Sequence, residues 1–114
     1  MAISIEYKYF WHEQEDLKLQ CIKYIESNIG KPDKITILKE DELDLESCFS
    51  ILFYFKNLSF NDFSLWDELS DFSDELEIDV FVYDHLTHNV KDYLYGEDWG
   101  ETNSGRNMIY LNNI

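Results

Sequence analysis

Basic residues are scarce in this chain. Nine lysines and arginines stand against 24 aspartates and glutamates, a formal charge of −15. A polyanion repels phosphate backbones and anionic lipid surfaces and is drawn to cationic ones, so the expected partner is a basic protein, without direct nucleic-acid binding or membrane association. Glycine occurs four times and histidine three times. That leaves no phosphate-cradling glycine loop, no nucleophile elbow and no zinc-protease helix. A carboxylate pair for glycoside hydrolysis can be drawn anywhere among so many acids and therefore identifies nothing. The expectation is a non-enzyme with no catalytic residues and no cofactor. The only two cysteines, Cys21 and Cys48, sit in apolar patterns without an identifiable base beside them. They suit buried free thiols in a reducing cytoplasm, with a single disulfide as the alternative. Near the N-terminus Glu6, Lys8 and His12 interrupt any long apolar run, so neither a secretory signal nor a spanning segment is expected.

Apolar and aromatic residues are present in quantity, at 45% and 17% of the chain. Eight Phe, eight Tyr and three Trp bury much area per residue, which lets a 114-residue chain form one domain around one core. Residues 3–11 alternate, with Ile3, Ile5, Tyr7, Tyr9 and Trp11 on one face and Ser4, Glu6 and Lys8 on the other: a half-buried strand. From Glu13 to Ile29 the period becomes helical through Leu17, Cys21, Ile25 and Ile29, with Gly30 as C-cap and Pro32 preventing continuation. Ile35–Leu38 reads as a short strand. Cys48–Phe55 is apolar at almost every position and reads as a central strand covered on both faces. Phe60, Phe63, Trp66, Leu69, Phe72 and Leu76 mark a second helix, capped by Ser59, Asn61 or Ser64. Ile78–Tyr83, Val90–Tyr95 and Met108–Leu111 are three more strands, with a turn over 84–89 and a polar loop over 96–105. The order β-α-β-β-α-β, followed by two strands, is that of a ferredoxin-like α+β domain. Its antiparallel sheet of five to six strands carries both helices on one face.

Charge is segregated along this order. Residues 1–39 hold six acids and six lysines, whereas residues 40–105 hold 18 acids against Lys56 and Lys91. Solubility requires charge but not its segregation, so a one-sided acidic surface is expected. Its centre is the second helix, where Asp62, Asp67, Glu68, Asp71, Asp74 and Glu75 oppose the apolar stripe without a basic residue. Like charges three and four apart each destabilise a helix by about 0.2–0.5 kcal/mol. Asp74 and Glu75 also oppose the helix dipole. Such a face is either merely solvated or bound by a partner. The loop of residues 40–46 and Glu97, Asp98 and Glu101 extend the same character. Trp99, set among carboxylates in a glycine-bounded loop, is either an interface anchor or a cap on the core. Neither acidic loop has EF-hand spacing. His85 and His88, with Asp84 and Asp92 near them, lie in a turn that does not orient two imidazoles on one metal, so no metal site is expected.

An acidic helix, acidic loops and aromatic anchors on a compact chain resemble the immunity proteins of bacterial toxin–immunity pairs, including those of contact-dependent growth inhibition. The resemblance rests on size, charge segregation and element order, without a diagnostic motif. It implies a cytoplasmic stoichiometric inhibitor that masks the active or substrate-binding site of a cationic toxin, often a nuclease. The competing readings are a nucleic-acid mimic that blocks a defence nuclease and an acidic adaptor without inhibitory role.

Overall fold

Alternation at the N-terminus forms β1 (Ile3–Tyr9), and the four-residue recurrence of Leu17, Cys21 and Ile25 forms α1 (Glu15–Asn28). The remaining elements are β2 (Lys34–Glu40), β3 (Cys48–Phe55), α2 (Phe63–Leu76), β4 (Asp79–Asp84), β5 (Val90–Tyr93) and β6 (Gly100–Glu101). The computed structural model describes residues 2–9, 15–40, 48–58, 63–94 and 97–101. Within them no helix is long and apolar enough to cross a membrane.

The strands form one antiparallel sheet in the order β2-β3-β1-β4-β5-β6. The segment β2-β3-β1-β4 is what the split βαβ plan produces: each helix carries the chain over an intervening strand, which inserts between the two it connects. Register then decides the faces. Ile5 opposes Phe53 and Val82, and Tyr7 opposes Ile51 and Val80. These side chains pack with Cys21 and Ile25 of α1 and Leu69 and Phe72 of α2 into the main core. Both helices therefore cover the same face of the sheet.

The other face departs from the alternation. Ser4 and Glu6, read from the sequence as solvent-facing, are 1% exposed. Leu52, Phe81 and Tyr83 form a second apolar cluster there, and the Tyr83 hydroxyl donates to Glu6 Oε1 at 2.5 Å. β1 is thus buried on both faces rather than half-buried. A polar residue in an alternating pattern shows only that a position is polar, and a hydroxyl donor allows it to be buried.

Helix ends follow local chemistry. Gly30, at φ 145°, closes α1 with its amide donating to the Ile25 carbonyl at 2.9 Å, as its sequence position implies. α2 closes with Glu77 at φ 58°, a left-handed conformation usually taken by glycine. The Ile78 amide donates back to the Ser73 carbonyl at 3.1 Å, and the buried Ser73 hydroxyl donates to the Ile78 carbonyl. Glu77→Gly relieves both the backbone cost and a negative charge at the negative end of the helix dipole. Thermal or urea denaturation is expected to show a gain of about 1 kcal/mol; a loss would mean that the Glu77 side chain makes a stabilising contact.

Several boundaries shift. Lys34 and Glu40 extend the expected short strand at both ends, because charged residues are tolerated on a sheet edge. Ile78 is used in the helix cap, so β4 begins at Asp79 and runs to Asp84, which pairs with Ile3. The polar loop expected over 96–105 contains β6, two residues held by backbone pairing with Lys91 and Asp92 and too short to carry a periodicity. The expected strand at 108–111, the 40–46 loop beyond Glu40 and His12 lie outside the described residues.

Candidate partner-binding face

Three tyrosine hydroxyls from three elements hold α2. Tyr7 on β1 donates to the Leu69 carbonyl at 3.2 Å. Tyr24 on α1 places its hydroxyl 2.7 Å from the Glu68 carbonyl and 2.8 Å from Glu68 Oε2, so its single proton serves one acceptor at a time. Tyr93 on β5 donates to Asp74 Oδ1 at 2.6 Å. Beneath them Phe72 stacks on Tyr24 with centroids 4.0 Å apart and meets Tyr7 edge-on at 5.3 Å. The helix can carry its acids because its inner face is held by β1 and its flanks are tied to α1 and β5.

The outer face of α2 carries Asp67, Asp71, Asp74 and Glu75, all exposed, with Glu68 half-buried beside Tyr24. No acid lies in its first turn and no base in its last. Negative charge therefore gathers at the dipole's negative end, the reverse of what helix stability favours. Asp62 lies outside the described residues.

The 97–98 loop adjoins this face. The Tyr93 phenol is pushed up to about 12, first by its hydrogen bond to Asp74, then by burial and by the charges of Asp74, Asp98 and Asp71. Tyr24 is raised as well, by burial first, then by its bond to Glu68 and by the charges of Glu68, Asp71 and Glu75. Asp71 contributes to both shifts, so the acids of α2 act on tyrosines of two different elements. A raised phenol binds its proton more tightly in the folded state, so the stability this group contributes is complete below about pH 10, the ordinary tyrosine value, and is lost as pH rises toward about 12. In a ¹³C-tyrosine NMR titration, Tyr93 is expected to titrate near 12 and Asp74→Asn to return it toward the ordinary value. Titration at the ordinary value in the unaltered protein would show that the hydroxyl and Asp74 are not joined.

Trp99 takes the core-capping position rather than projecting. It is half-buried, meets Trp66 at 4.9 Å and Tyr93 at 5.5 Å between centroids, and packs on the rim of the main core. Its indole Nε1 is enclosed without a hydrogen-bond acceptor. The neighbouring carboxylates Glu97 and Asp98 remain exposed, and the Glu97 amide donates to the Leu94 carbonyl at 2.8 Å. Trp99 thereby seats the loop against α2. Lys91 lies across the Trp66 ring, its Nζ 5.4 Å from the centroid, and the register sets Glu101 opposite Lys91 on β6. The structure brings Asp67, Glu68, Asp71, Asp74, Glu75 and Asp98 into one neighbourhood.

An open groove of about 260 Å³ runs between the helices beside the acidic face, lined by Gln20, Lys23, Tyr24, Ser27, Asn28, Phe72 and Glu75. The tyrosine hydroxyl contacts and this groove join residues distant along the chain and leave no signal in the sequence.

The remaining candidates divide. His85 turns back to Ser4, with Nε2 2.7 Å from the Ser4 hydroxyl and its ring edge-on to Tyr54, while His88 is exposed at φ 63°. Ser4 is buried, so this pair does not present a nucleophile to solvent. Among the described residues no group of three or more His, Cys, Asp or Glu is placed to hold a metal ion. Cys21 is a buried free thiol, pushed up to about 12 by burial, while the Cys48 side chain lies outside the described set. No protein-family model, no curated protein and no solved structure matches the chain.

Proposed function

We propose that the protein is a cytoplasmic inhibitor of immunity type, which neutralises a cationic toxin, a nuclease by preference, by laying the acidic face of α2 over its active or substrate-binding site. The observation that carries this reading is the acidic face of α2, a helix that itself contains no basic residue. Five carboxylates on α2 and Asp98 beside it are maintained against helix propensity, dipole and mutual repulsion, while tyrosine hydroxyls orient two of them. Enzymes that grip phosphates present lysines and arginines, and a preorganised carboxylate array matches them. Such complementarity raises association rates well above the roughly 10⁵–10⁶ M⁻¹s⁻¹ found without it. The groove beside the face admits an arginine or lysine stem against the Tyr24–Phe72 stack, with Glu75 at its rim.

The test is functional. A basic polypeptide that co-purifies with the protein should form a 1:1 complex, and its activity on nucleic acid should be abolished by an equimolar amount of the inhibitor. Inhibition of several unrelated DNA-binding proteins with similar weak affinity would instead make the protein a nucleic-acid mimic. Binding without inhibition would make it an adaptor.

A further inference from the structure

Buried side chains with polar atoms pair in the interior: Tyr7 donates to the Leu69 carbonyl, Ser73 to the Ile78 carbonyl and Tyr83 to Glu6. Among the described residues one enclosed side-chain polar atom has no partner, the indole Nε1 of Trp99. An N–H that loses water and gains no acceptor opposes its own burial, and such an exception calls for a physical reason. The ring contacts with Trp66 and Tyr93, at 4.9 and 5.5 Å between centroids, favour burial. These opposing effects are of similar size. Trp99 is only half-buried, so docking secures part of the apolar gain of a tryptophan, while the N–H bears the full loss of water.

The backbone around Trp99 is tied on either side of it. Asp98 and Trp99 belong to no helix or strand, and β6 begins one residue later. Gly100 and Glu101 are anchored by pairing with Asp92 and Lys91, and before Trp99 the Glu97 amide donates to the Leu94 carbonyl. Between these ties the Trp99 side chain is held by apolar and ring contacts. We propose that Trp99 is a reversible latch, which exchanges between the docked position on the core rim and an undocked one. In the undocked position the indole N–H reaches an acceptor and the ring joins Glu97 and Asp98 at the surface. The docked form caps the core; the undocked form offers a partner an apolar anchor with an open donor. This inference concerns the free protein and does not depend on what the acidic face binds.

Hydrogen exchange of the Trp99 indole N–H, followed by NMR in the unaltered protein, reads the undocked population. Exchange slowed only about 10- to 1000-fold relative to a free indole is expected, as for a minor state populated at about 0.1–10%. The most protected sheet amides should exchange far more slowly, because they open with the whole domain. Trp99→benzothienylalanine keeps the bicyclic ring and has sulfur in place of the N–H. It should lower the undocked population about tenfold. The readout is a smaller exchange contribution to the NMR relaxation of Tyr93 and Trp66, whose shifts sense the departing ring, with circular dichroism reporting the fold. An indole N–H that exchanges only as fast as the most protected sheet amides overturns the proposal, because Trp99 would then leave the core only on global unfolding. So does a folded benzothienylalanine variant that leaves the exchange at Tyr93 and Trp66 unchanged, because the N–H would not be what loosens the ring.

Discussion

Reversing Asp71 and Asp74 together to lysine is expected to slow association with the proposed basic partner by about 10- to 100-fold at low ionic strength, with the difference shrinking as salt rises. Both carboxylates are solvent-exposed on the outer face of α2, and both contribute to the negative field at Tyr93. Long-range steering depends on summed charge, so the association rate takes most of the loss. The same substitutions should leave the fold intact and make it slightly more stable. A lysine at 71 falls three or four residues from Asp67, Glu68 and Glu75, each a favourable pair of about 0.2–0.5 kcal/mol, and a lysine at 74 suits the dipole's negative end. Loss of the Tyr93 bond to Asp74 offsets part of that gain. Stopped-flow kinetics across a salt series, paired with urea denaturation, separate the two effects. Slower binding by a more stable protein is the signature of a surface selected for a partner at the expense of its own helix.

Phe72→Ala should cost about 3–5 kcal/mol, the range for emptying a buried aromatic site. Phe72 is 5% exposed and lies between Tyr7 and Tyr24, the two rings whose hydroxyls hold Leu69 and Glu68 of α2. Against a total of about 5–15 kcal/mol for a domain, this brings the protein close to unfolding. Phe72→Leu, which keeps apolar volume but loses the ring stack, should cost about 1–2 kcal/mol. Urea midpoints measure both. A loss for Phe72→Ala below about 1 kcal/mol would mean that α2 is not seated through this ring.

The elements that depend on local pattern were legible in the sequence. Cys48–Phe55 is a strand with the bounds its apolar run implies, and Gly30 ends α1 where the periodicity stops. The acids of α2 were legible as a face because helical spacing alone places them there. What was not legible involves residues distant along the chain. The hydroxyl contacts that tie α2 span 62, 44 and 19 residues, and the bond that permits Glu6 to be buried spans 77. No periodicity encodes them. Strand order, the burial of Ser4 and the two-residue β6 are likewise products of tertiary pairing. Trp99 illustrates the limit: composition placed it among carboxylates and left its direction open, and contacts with Trp66 and Tyr93 set it on the core.

The most direct test of the acidic face captures partners on two columns in parallel, one carrying the unaltered protein and one the Asp71→Lys/Asp74→Lys variant. Bound polypeptides are eluted by rising salt and quantified by mass spectrometry. The account predicts one dominant basic polypeptide, a toxin domain, retained beyond moderate salt by the unaltered protein and released early by the variant. Equal retention on both columns would contradict it, because the partner would then be bound through some other surface.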